Sequence, residues 1–151
     1  MDDIDVKILS ALRENARATA SEIGAAIGMS VSAVIERIKK LEANGVIAQY
    51  TAIIDQKNVN KDITAFISVT LEHPKYNDGF IDFVGRTYDV LEAHYLAGDA
   101  DYLIKVVTDT TTTLEHLLRE IKCIPVVART CTSMVLSTVK NEHSVNPKSL
   151  R

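Results

Sequence analysis

An α+β fold in two parts, three short helices followed by a βαββαβ unit, is predicted by three observations. Apolar residues recur at helical spacing up to about residue 45, the polar run "QKNVNKD" follows near residue 60, and beyond it the apolar period switches to two and back, twice over. The parts read as a helix-turn-helix domain over 1–54 that ends in an exit strand, a linker at 55–62, and a second domain over 63–151.

Ile4, Ile8, Leu9 and Leu12 share one face of a first helix, from about Asp3 to Asn15. Thr19 with Glu22 three places on is a capping box, in which side chains satisfy the free N–H groups of a first turn, and it starts a second helix that runs to about Ile27. Gly28 suits a left-handed helix end, and Ser30 can cap the next helix. Two helices therefore meet at a tight turn.

At about 100° per residue, Val31, Val34, Ile35, Ile38 and Leu41 fall within an arc of roughly 120°. Ser32, Ala33, Glu36, Lys39 and Lys40 face away, with Arg37 at the border. This arrangement fits a helix-turn-helix whose last helix enters a DNA major groove. The run "ERIKKLE" fits equally the solvated face of an ordinary helix with a Glu36–Lys40 pair.

After Gly45, "VIAQYTAIID" reads as a strand that leaves the helical unit. Past the linker come a strand at 63–72, a helix at 77–87, a strand at 90–97, a strand at 101–108, a helix at 111–122 and a strand at 126–139. This order is the ferredoxin-like plan. In the first strand Ile63, Ala65, Ile67, Val69 and Leu71 alternate with Thr64, Phe66, Ser68, Thr70 and Glu72, so one sheet face is expected under helices and the other open. Phe66 on the open face points to pairing with a second copy.

Composition narrows the function. The 151 residues are 46% hydrophobic and 25% charged, with a formal net charge of −3. Lys/Arg number seven against eight Asp/Glu over residues 1–60, and ten against twelve over 61–151. Bulk electrostatic coating of nucleic acid is thereby excluded, and only a local patch such as Arg37, Lys39 and Lys40 can meet phosphates. The N-terminus "MDDIDVKIL" lacks the form of a signal peptide, and no apolar run is long enough to span a bilayer, so a cytoplasmic protein without a membrane partner is expected. Cys123 and Cys131 have neither disulfide-framework nor zinc spacing and read as buried thiols. His73, His94, His116 and His143 are scattered, and no glycine-rich phosphate loop or nucleophile motif is present, so no catalytic residue, metal or cofactor is expected.

Three stretches stand out together: "RATASEIGAAIGMS", "ERIKKLEANGVI" and, after a strand, "HYLAGDADYLIKV" with its Gly-Asp-x-Asp-Tyr. The first two resemble the helix-turn-helix, and the third the second-domain hairpin, of a known family, the Lrp/AsnC (feast/famine) transcriptional regulators. The resemblance covers nearly the whole chain. Val31 departs from it, standing where the family often has Pro.

The resemblance implies a winged-helix-like DNA-binding domain and a ferredoxin-like ligand-sensing and oligomerisation domain. It implies double-stranded DNA as a partner, self-association as dimers that assemble to octamers, and a small-molecule effector such as an amino acid. DNA contacts are expected from Ser30, Ser32, Ala33, Arg37, Lys39 and Lys40. Effector contacts are expected from Gly98, Asp99 and Asp101 with the flanking Leu96 and Tyr102, and from Thr130 and Thr132, which fit a Thr-x-Thr pattern of the family's last strand. An ammonium needs an acidic acceptor and a carboxylate needs N–H donors, which Asp99 or Asp101 and the backbone at Gly98 can offer. "GD" is also a favoured hairpin pair, in which the Asp serves the turn alone. The rival function is an amino-acid-binding regulatory module acting through protein partners.

Overall fold

The computed structural model describes residues 1–73, 75 and 77–149. The chain divides into two compact units, Met1–Ile53 with the segment from Lys140 onward, and Ile54–Val139.

The first unit is built on α1 (Asp3–Glu14), α2 (Ala20–Ile27) and α3 (Val31–Ala43). Each helix begins on an oxygen-bearing side chain that accepts from its first turn. Asp2 accepts from the amides of Ile4 at 3.0 Å and Asp5 at 2.9 Å, and the Asp5 carboxylate accepts from the Asp2 amide in return. Thr19 and Glu22 form the reciprocal box expected of them. Ser30 Oγ accepts from the Ala33 amide at 3.3 Å. Gly28 ends α2 at φ 73°, a left-handed position that costs glycine nothing. The core is small: Ile8, Ile23, Val34 and Leu41, with Ile4, Leu12, Ile27 and Ile38 packed around it.

Three expectations for this unit change. The segment 46–55 forms no strand. Its residue types suit one, but among the described residues no neighbouring strand takes its N–H and C=O groups, and Val46, Tyr50, Ile53 and Ile54 stand exposed. Val31 and Ile35, placed by the helical wheel with the packed residues, are 46% and 40% exposed. The buried stripe of α3 is narrower and turned towards Arg37, because ion pairs to α1 draw that side in. The C-terminal segment, assigned to the second domain, clusters instead with the first: Glu142 pairs with Arg13, and buried Pro147 helps line a cleft of about 440 Å³ with Leu9, Leu12, Val46 and Tyr50.

The second unit is the βαββαβ sheet: β1 (Ile63–Leu71), α4 (Asn77–Arg86), β2 (Val90–Tyr95), β3 (Tyr102–Thr108), α5 (Thr111–Cys123) and β4 (Val127–Met134). The sheet order is β2-β3-β1-β4, and each neighbouring pair is antiparallel. Ala65, Ile67, Val69 and Leu71 are buried with Ile104, Val106, Phe80, Leu114, Leu117 and Ile121, so the helices cover the face that the alternation of β1 marks. Phe66 lies on the other face, 37% exposed. Strand β4 stops five residues early: its ladder with β1 ends at the Ala65–Met134 pair, two residues short of the start of β1 at Ile63. Both cysteines are exposed rather than buried. Cys131 pairs across to Ser68 on the open face, and Cys123 is the last residue of α5.

Candidate functional site

Two regions hold the residues singled out above, one in each unit. The first is the outward side of α3. Ser30 caps the helix, and its hydroxyl lies 3.3 Å from that of Ser32. Ser30, Ser32, Lys39 and Lys40 are exposed, while Ala33 is half-buried. The surface therefore offers two hydroxyls at a positive helix end and two ammonium groups about two turns further on, which suits an anionic backbone.

Arg37 behaves differently from the expected phosphate contact. Its Nη1 donates to Asp2 Oδ1 and Oδ2 at 2.9 and 2.8 Å and to Asp5 Oδ1 at 2.7 Å. Those bonds, Asp5 first and then Asp2, raise the guanidinium further above its ordinary value. Asp2 is held below the usual carboxylate range, first by the Asp5 amide and then by Arg37. One cation thus ties the side of α3 to the capping turn of α1. The sequence signal was the "DDID" start, four positions holding three carboxylates, but helical periodicity could not pair it with a residue 35 places away.

Gly24 is a further position that sequence reasoning passed over. It is buried in α2, and its carbonyl accepts from the Met29 amide at 2.9 Å across the turn. A Cβ placed there would stand 2.6 Å from the Met29 carbonyl oxygen. Only glycine lets the turn fold back this closely on α2.

The second region is the β2–β3 hairpin. The Leu96 amide donates to the Asp101 carbonyl at 2.8 Å and closes the loop, and the Asp101 amide donates to the Val69 carbonyl at 3.0 Å. The Asp101 carboxylate accepts from the Leu71 amide at 2.7 Å, so one of its oxygens is committed to the end of β1. Asp99 and Gly98 are exposed. Gly98 has no positive φ, and a Cβ there would meet nothing, so the loop itself does not require glycine.

Tyr102 is buried beside Phe80 and Tyr95, with ring centroids 4.9 and 5.3 Å away, and burial pushes its phenol up. Val69 pairs with Tyr102 on one side and Thr130 on the other, which sets Thr130, Tyr102 and Tyr95 in one row across the hairpin end of the sheet. Thr132 lies one pair further along the same face, opposite Ile67, and is exposed. The sheet thus brings Thr130 level with Tyr102, two strands away, and leaves Thr132 farther from the loop.

Comparison with known proteins finds a family match for each of the two units. Residues 1–42 match the model of the AsnC-type helix-turn-helix domain, and residues 64–145 match that of the Lrp/AsnC ligand binding domain. An uncharacterized HTH-type transcriptional regulator of Bacillus subtilis is 42% identical over 118 residues, covering 78% of this chain and 83% of its own. The glutamate uptake regulatory protein of Zymomonas mobilis is 34% identical over 146 residues, covering 95% and 88%. Among solved structures, a Neisseria meningitidis transcriptional regulator in complex with L-Met has a TM-score of 0.91 at 30% identity over 96% of each chain. Escherichia coli AsnC has a TM-score of 0.89 at 27% identity over 97% of this chain and 99% of its own.

Proposed function

Because this chain belongs to the Lrp/AsnC family of transcriptional regulators, we propose that it binds double-stranded DNA through α3 as a dimer, and that an amino acid held at the β2–β3 hairpin adjusts its assembly. The observation that carries the DNA half is the outward side of α3, where Ser30, Ser32, Lys39 and Lys40 are exposed together on a capped helix that follows a glycine-ended turn. Lys39 and Lys40 meet phosphates, the Ser30 hydroxyl and helix end approach another, and Ser32 with Ala33 lies nearest the bases. Arg37 serves by fixing the orientation of α3 against α1.

An acidic protein gains from pairing, since two such patches about one helical turn of DNA apart act together. The exposed segment around Tyr50–Ile54 and the open sheet face around Phe66 supply apolar surface for that pairing, and further association of dimers gives octamers. At the hairpin, the unhindered backbone of Gly98 receives the effector carboxylate and Asp99 its ammonium, while Asp101 holds the loop to β1. The L-Met complex of the Neisseria regulator supports an amino acid as ligand class. The helix-turn-helix match over residues 1–42 favours DNA over a purely protein-mediated role.

The test is binding to duplex DNA from upstream of the protein's own gene, measured by fluorescence anisotropy across a salt series. Affinity should fall steeply with salt, and the double variant Lys39→Ala, Lys40→Ala should flatten the log–log slope by roughly one unit per lost contact. An unchanged slope would exclude these two side chains from the phosphate interface.

A further inference from the structure

The outward side of α3 carries an apolar feature that phosphate binding does not use. Val31 and Ile35, one turn apart, are 46% and 40% exposed, while Val34 and Leu41 on the same helix are buried. Residues four apart on a helix sit about 5–6 Å apart at Cβ, so the two β-branched side chains form one small apolar patch. It lies in the first two turns, beside Ser32 and Glu36, with Lys39 and Lys40 following. A single exposed apolar residue needs no explanation, but here two adjoin on the face that meets DNA in the reading proposed above, on which this inference rests.

The chemistry of the neighbouring groups narrows their role. The first six residues of α3, Val31–Glu36, include no Arg, Lys, Asn or Gln, the side chains that grip guanine or adenine edges in pairs of hydrogen bonds. Arg37 comes next, and its guanidinium is taken by Asp2 and Asp5. What these turns present is a serine hydroxyl, a carboxylate and a cluster of branched methyl groups. In a major groove the one apolar feature of a base pair is the thymine C5-methyl, which apolar side chains recognise by contact.

We infer that Val31 and Ile35 are specificity residues that read thymine methyl groups in the major groove. Lys39 and Lys40 hold the helix against the phosphates, and the methyl patch selects the sequence. The operator half-site therefore contains A·T pairs whose thymines point at the start of α3, and its discrimination survives at salt concentrations that erode the phosphate contacts.

The experiment is in vitro selection from a randomised duplex pool with the full-length protein and with Ile35→Ser, a substitution at an exposed position. The native protein should enrich thymine at a fixed position in each half-site, and Ile35→Ser should lose that preference while keeping salt-dependent binding. Replacing that thymine by uracil, which removes only the methyl, should weaken the native protein roughly fourfold per half-site and leave Ile35→Ser unchanged. Identical selected sequences, or equal sensitivity to uracil in both proteins, would overturn the inference while leaving DNA binding intact. Absence of salt-dependent binding by either protein would overturn the DNA reading itself, and this inference with it.

Discussion

Gly24→Ala tests the central geometry of the helix-turn-helix. The new methyl would lie 2.6 Å from the Met29 carbonyl oxygen, a backbone atom that cannot swing aside as a side chain does. To reach even 3.0 Å, α2 and the turn must separate by several tenths of an ångström, and the Met29-to-Gly24 hydrogen bond of 2.9 Å must stretch with them. Overpacking of this kind costs about 1–3 kcal/mol, and the better helix propensity of alanine returns up to about 1 kcal/mol. The expected loss is about 1–2 kcal/mol, or roughly 5–15 °C in Tm for a unit of this size. Circular dichroism at 222 nm follows it in the full-length protein, and DNA affinity should fall too, because α3 starts two residues after the strained contact. A Tm equal to or above that of the native protein would show that the turn relaxes freely, and that Gly24 imposes no constraint on the approach of α3.

Ser30→Ala removes the acceptor for the Ala33 amide and should cost about 1 kcal/mol in urea unfolding, with weaker DNA binding beyond that expected from stability alone; equal stability would mean the cap is supplied elsewhere. Asp101→Ala leaves the Leu71 amide without its acceptor and should destabilise by about 1–3 kcal/mol, whereas Asp101→Asn keeps an acceptor and most of the stability. Asp99→Asn should leave folding unchanged and abolish the rise in Tm produced by an amino-acid effector, so an undiminished rise would remove Asp99 from the ligand's contacts. Glu22 titrates below its ordinary 4.5, chiefly through its bond from the Thr19 amide, and Asp2 below 3.8 through the Asp5 amide. Their contribution to the first unit is present above those values and is lost as pH falls through the lowered ones, and Glu22→Gln should make melting curves below pH 5 less dependent on pH.

Local chemistry made most of the fold legible. Thr19 with Glu22, Gly28 and Ser30 mark helix ends through groups at most three residues apart, and the alternation of β1 names its buried face without knowledge of any partner. What stayed hidden depended on distant pairing. Arg37 looked free because its carboxylates lie 35 and 32 residues back, and Asp101 looked available because its amide partner sits on β1, 30 residues away. The segment 46–55 read as a strand, but a strand is defined by its neighbour, and the described residues supply none. Cys131 read as buried from residue type alone, while register sets it on the open sheet face beside Ser68.

The return of the chain to its first unit changes what a shortened gene would make. A stop codon placed after Val139 spares α1 to α5 and the whole sheet, yet strips the helical unit of the partner of Arg13 and of buried Pro147. A fragment ending at Ile53 lacks the same pieces, so a minimal DNA-binding version is better made by joining the final segment to residue 53 through a short flexible bridge. A single proteolytic nick between β strands would likewise release neither unit, because the polypeptide passes between them twice, at Ile53–Ile54 and at Val139–Lys140.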